Sequence, residues 1–166
     1  MGDFIQWLEG TAIATFVRES PSIFAYTSVL SLHAMGLAVV VGVGAAISLR
    51  LLGLARGIPL APLLKLYPLM WIGFTVNALS GIALLAASAS TMLASVIFLI
   101  KLALIAVALV NMELLRHRIV VDAATGTDVA APQTRGFAIA ALVLWGAVIV
   151  AGRLTAYPNF VSSLFG

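Results

Sequence analysis

A few polar side chains stand inside the apolar runs of this 166-residue chain: His33, Asn77, Ser80, Lys101 and Arg153, with Trp145 in similar company. His33 lies within SIFAYTSVLSLHAMGLAVVVGVGAAISL (22–49). That run is long enough to cross a hydrocarbon core about 30 Å thick at about 1.5 Å per residue. An imidazole at such depth must be neutral, hydrogen-bonded or metal-bound, because lipid solvates neither its proton nor its lone pair. A porphyrin offers an iron that takes imidazole, a flat apolar face, and two carboxylates that need cations. His33, the aliphatic surroundings, and Lys101 with Arg153 supply the matching types. The set points to one b-type haem with His33 as its metal ligand and Asn77, Ser80 and Trp145 completing the pocket.

Depth supports that grouping. His33 follows Ser22 by 11 residues, roughly 16 Å along a helix. Lys101 follows Leu93 by eight, about 12 Å, and Arg153 precedes Tyr157 by four, about 6 Å. Both cations therefore lie outward of the imidazole, as propionates pointing to the outer face require. His117 follows Leu93 by 24 residues, about 36 Å along its helix, so two histidines at matching depth are not available for bis-histidine ligation. Simpler readings compete: His33 as a packing histidine, Lys101 and Arg153 reaching outward along their stems. Glu113 is placed as a surface partner of Arg116 and His117. Tyr67, Trp71, Tyr26 and Tyr157 are placed as interface anchors.

The composition sets the frame for these residues. Of the chain, 63% is hydrophobic and 9% charged, with a mean hydropathy of +1.17, against about 25% charged in a soluble domain. An all-α integral membrane protein of one domain (1–166) is expected. Nine Lys+Arg against six Asp+Glu are too dispersed for nucleic acid and report topology instead. No cysteine is present, which removes disulfides, thiolate ligands and cysteine catalysis. The N-terminus lacks the basic-then-apolar pattern of a cleaved leader, so Met1 onward reads as mature chain.

The elements that position the polar set follow in order. Residues 3–18 put Phe4, Leu8, Ala12 and Phe16 at four-residue spacing and predict an interfacial amphipathic helix. Spans are predicted at about 22–50, 68–88, 93–116 and 136–157, a four-transmembrane-helix bundle, with a polar loop over 116–135. Arg50, Arg56, Lys65, Arg116, Arg118 and Arg135 fall on one side, leaving Arg18 on the other; the excess-cation rule makes the first side cytoplasmic and puts both termini outside. Ala34, Ala38, Gly42 and Ala46 recur at four-residue intervals and predict a packing seam, within the chain or between copies in a homo-oligomer. Gly42-Val43-Gly44 lacks the preceding strand and third glycine of a dinucleotide fingerprint. No nucleotide motif, hydrolase triad or carboxylate pair appears, so redox chemistry would have to come from a bound cofactor.

The segments RESPS (18–22), LHAMGLAVVVGVGAAISLRLLG (32–53), PLMWIGFTVNALSGIALL (68–85), FLIKLALIAVALVNMELLRHR (98–118) and WGAVIVAGRLTAY (145–157) resemble a family of short four-helix bacterial membrane proteins. More distantly they are similar to the membrane domain of copper resistance protein D and to bacterial membrane protoporphyrinogen oxidase. The oxidase resemblance implies a haem-linked histidine in the first helix and a lysine in the third, matching His33 and Lys101. The copper resemblance implies copper handling across the inner membrane. Copper(I) favours thioether and thiolate ligands, yet Met35, Met70, Met92 and Met112 are scattered in depth. The resulting expectation is a cytochrome-like electron-transfer protein of the bacterial inner membrane holding haem b, with quinol as a conceivable donor and a redox protein as outer partner. A copper-handling protein or small permease is the first alternative, and a structural or assembly subunit the second.

Overall fold

A computed structural model of the chain describes residues 2–20, 23–126 and 128–155. Its elements are α1 (Gly2–Glu9), α2 (Ala12–Glu19), α3 (Ile23–Leu51), a 3-10 turn (Ala61–Leu66), α4 (Tyr67–Ala87), α5 (Ala89–Leu93), α6 (Val96–Ala124) and α7 (Pro132–Leu154). No strand occurs among the described residues. Four stretches, Phe24–Leu51, Ala61–Ala87, Val96–Ala124 and Pro132–Leu154, are long and apolar enough to cross a bilayer. Because lipid rather than water surrounds them, they expose large apolar residues such as Leu32, Ile72, Val110 and Val143. The all-helical, multi-pass architecture expected from composition is what forms.

The four long helices form an arc in the order α4, α3, α7, α6: α3 packs on α4 and on α7, and α7 packs on α6. Met70, Ile47, Val148, Trp145, Met112 and Leu115 fill the centre. The α3–α4 contact is so close that it depends on glycine. A Cβ on Gly36 would lie 2.6 Å from Asn77 N and 2.8 Å from Gly73 O, and one on Gly73 would lie 2.7 Å from Val39 Cγ1. The expected seam of Ala34, Ala38, Gly42 and Ala46 does not make this contact. Those residues are exposed, and Gly42 has nothing within 4 Å of a built Cβ. Gly36 stands two residues from Ala34, on the opposite side of the helical wheel.

Several boundaries differ from the sequence reading, each for a local reason. Residues 3–18 break at Gly10–Thr11 into two helices, and Thr11 caps the second by accepting from Ala14 N at 3.3 Å. α2 buries Ala14 and Val17 and packs on α4 and α3. The third span starts at Val96 rather than Leu93, with Ser95 accepting from Phe98 N at 3.4 Å, and a short α5 precedes it. It also continues past Arg116 to Ala124, because Leu115, Ile119 and Asp122 keep one face buried and no breaker precedes Gly126 (φ +73°). The fourth begins at Pro132, suited by its fixed φ to the first turn. Tyr157 lies outside the described residues.

Candidate functional site at His33

His33 stands ten residues into α3, about 15 Å along it. Its Nδ1 lies 2.9 Å from the carbonyl oxygen of Asn77 on α4. Because a carbonyl only accepts, this shorter contact favours a proton on Nδ1 and a lone pair on Nε2, over the reverse tautomer that Asn77 Nδ2, 3.3 Å from Nδ1, would suit. Asn77 returns the bond, donating Nδ2–H to the backbone oxygen of His33 at 2.7 Å. Ser80 Oγ donates to Val76 O at 2.6 Å and presents its oxygen 3.3 Å from Nδ1. Gly81 makes room for the ring: a Cβ there would meet His33 Cε1 at 3.0 Å. The Nδ1 edge is thus held by α4, while Nε2 has no protein hydrogen-bond partner among the described residues.

The ring borders a cavity to which all four long helices contribute: His33, Leu37 and Val40 from α3, Phe74 and Asn77 from α4, Lys101 and Ile105 from α6, Trp145 and Val148 from α7. Its volume is about 10 Å³, room for roughly one water molecule. Trp145 is buried, and its Nε1–H is an unsatisfied donor beside Gly44. Lys101 is half-buried and lies against α7, with Cε 3.6 Å from a Cβ built on Gly152. It forms no ion pair or hydrogen bond among the described residues.

Of the six residues singled out in the sequence, His33, Asn77, Lys101 and Trp145 line one cavity, Ser80 buttresses the ring from behind, and Arg153 is exposed and outside the lining. His117 is exposed and also outside it. Gly36, Gly73 and Gly81, which set the ring's position, escaped the sequence reading. Their signal is the four-residue spacing Gly73, Asn77, Gly81 on α4, facing His33 and Gly36 on α3. No group of three or more His, Cys, Asp or Glu side chains comes together among the described residues.

One side of the cavity is a seam. The described hydrogen bonds between α4 and α6 are Tyr67 Oη to Met112 O (3.3 Å) and Trp71 Nε1 to Glu113 Oε1 (3.2 Å), both toward the Arg50 end. Tyr67 is buried and ties two helices, rather than anchoring at an interface as expected; Glu113 also pairs with Arg116 at 3.0 Å. No described bond crosses the opposite end of the seam, beside Lys101.

A metal-ligating imidazole ordinarily donates its other N–H to a carbonyl or carboxylate, which fixes tautomer and orientation. His33 meets that condition, and Lys101 pairs with no carboxylate among the described residues. The donor set therefore suits haem. The cavity, at about 10 Å³, does not hold a macrocycle. No protein family, no curated protein and no solved structure matches the chain.

Proposed function

We propose that the chain is a membrane electron-transfer protein of cytochrome type, in which His33 would hold the iron of one b-type haem. The observation that carries this reading is the His33 hydrogen bond to Asn77 O: it favours the tautomer that leaves Nε2 with its lone pair, on a ring that lines a cavity shared by all four helices. Haem, when bound, supplies one-electron chemistry. This chain's part is to hold the ring with Asn77 and Ser80, to exclude bulk water with Phe74, Ile105 and Val148, and to offer Lys101 to a carboxylate. Charge separates the candidates. Copper(I) would add positive charge opposite Lys101, and Met35, the methionine nearest in sequence, is 64% exposed; an anionic ligand is neutralised instead. In this reading the Arg50 end faces the cytoplasm, the termini face outward, α1 and α2 lie on the outer surface of the inner membrane, and quinol is the donor.

A second reading rests on the cavity's size. One water between His33 Nε2, Lys101 and the Trp145 indole would make a proton relay, the permease-like alternative. Absorption spectra of protein purified after expression with haem precursor decide between them. The haem reading expects a Soret band that His33→Ala abolishes and His117→Ala leaves intact. A spectrum without it, together with His33-dependent proton flux in proteoliposomes, would overturn the haem reading in favour of the relay.

A further inference from the structure

At the other end of α3, about 25 Å from His33 by helix rise, Arg50 is 4% exposed. Its Nε donates to Ile58 O, and its Nη2 lies 3.2 Å from both Arg56 O and Asp128 O. These are neutral acceptors. No carboxylate pairs with Arg50 among the described residues, and the Asp128 side chain is turned to Leu60 N–H at 3.3 Å. Nη1 has no described partner. A buried guanidinium held only by carbonyls keeps its net charge uncompensated, an arrangement that favours an anion beside it.

The same arginine lines an open groove of about 430 Å³, formed by Ala46, Leu49, Leu54, Ile58, Leu63 and Leu66 and largely exposed at the helix surface. That volume lies within the usual range of small-molecule sites, and the rest of the lining is almost wholly apolar. The wall is shaped by two left-handed residues, Gly53 (φ +107°) and Ala55 (φ +50°). The second is strained for a residue with a Cβ. Arg56 and Lys65 stand exposed nearby and raise the local concentration of anions.

We infer that this groove binds an anionic phospholipid, its phosphate on Arg50 and one acyl chain among Leu49, Leu54 and Leu63. An apolar groove beside an unneutralised arginine, at the end of a membrane-spanning helix, suits a ligand that joins a fatty chain to a fixed negative charge. A zwitterionic lipid of the same chains brings no net charge to Arg50. Inorganic phosphate brings no chain to the groove.

Native mass spectrometry of the full chain, titrated with phosphatidylglycerol and phosphatidylcholine of identical acyl chains, tests it. The first phosphatidylglycerol should bind about tenfold tighter than phosphatidylcholine, as one charge-assisted contact implies. Ala46→Phe fills the groove without touching the Arg50 bonds and should bring the two lipids to parity. Arg56→Gln with Lys65→Gln should leave most of the preference in place. Equal binding of the two lipids, no change on Ala46→Phe, or loss of preference in the Arg56/Lys65 variant would overturn the inference, the last by showing surface attraction alone. Tighter binding of oleate than of phosphatidylglycerol, or displacement of the lipid by inorganic phosphate alone, would overturn it too.

Discussion

Replacing Gly36 by alanine tests the packing on which the His33 site depends. The new Cβ would stand 2.6 Å from Asn77 N, roughly 0.8 Å inside the 3.4 Å at which ordinary contact begins. The atoms it meets, Asn77 N and Gly73 O, are backbone, so no side-chain rotation relieves the clash and α3 must move off α4. Overpacking of this kind costs about 1–3 kcal/mol. A shift approaching 1 Å also stretches the Asn77 Nδ2 to His33 O bond from 2.7 Å past useful length, removing roughly 0.6 kcal/mol more for an interhelical bond in a membrane. Relative to Gly42→Ala, which shares the backbone gain of alanine over glycine, the expected loss is about 1.6–3.6 kcal/mol, read as unfolding free energy in mixed micelles. Imidazole ¹⁵N shifts should show Nδ1 losing its fixed proton. Gly42→Ala is the control on the same helix: with open space around it, it should be neutral or up to about 1 kcal/mol stabilising. If Gly36→Ala lies within about 0.5 kcal/mol of Gly42→Ala, the backbone contact does not govern the site and the reasoning fails.

Two other contacts give equally definite outcomes. Glu9 accepts the Ser90 N–H at 2.8 Å, and this bond, which ties α1 to α5, holds the carboxyl below its ordinary value of 4.5. A depressed acid contributes above its unfolded pKa and loses its contribution as pH falls through the lower folded value. Ser90 amide exchange, corrected for its intrinsic rate, should therefore accelerate on acidification below 4.5 and become pH-independent in Glu9→Gln; unchanged protection in that variant would show that the bond does not hold α1. Tyr67→Phe should cost about 0.5–1.5 kcal/mol by removing the bond to Met112 O. A cysteine pair spanning α4 and α6 near that end should cross-link faster in the variant, and equal rates would mean the bond does not close the seam.

What could be read from the sequence follows what lipid makes expensive. A polar side chain in an apolar run is tolerated only where it faces protein, which is why His33, Asn77, Lys101 and Trp145 converge as their types required. Depth says how far along a helix a residue lies, but not which way it points. Arg153 accordingly lies at the expected level and still turns outward, while the neighbouring Gly152 meets Lys101. Small residues mislead in a membrane because alanine faces lipid as readily as protein. The regular stripe from Ala34 to Ala46 is exposed, whereas Gly36, off that stripe, is indispensable to the packing. Charge misled at the end of α6, where Arg116, His117 and Arg118 suggested a loop; all three are compatible with a helix continuing to Ala124. Arg50 was read only as a topology marker, since nothing local announces that it folds back on the 54–58 turn and Asp128.

The choice between a packing histidine and a working one comes down to a single atom. A histidine kept for helix association needs one good bond across the interface, and Nδ1 to Asn77 O provides it. Such a residue would be served as well by asparagine or glutamine, which bring a donor without a second basic nitrogen. Imidazole at this depth leaves Nε2 to be satisfied, and an unmet acceptor inside a bilayer costs more than the interhelical bond returns. No side chain among the described residues bonds Nε2; a proton donor or a Lewis acid would. Lys101, in the same lining, would favour a ligand that carries negative charge. A haem would answer both demands only with the four helices further apart than the cavity of about 10 Å³ between them allows, whereas a single water answers the first with no movement at all.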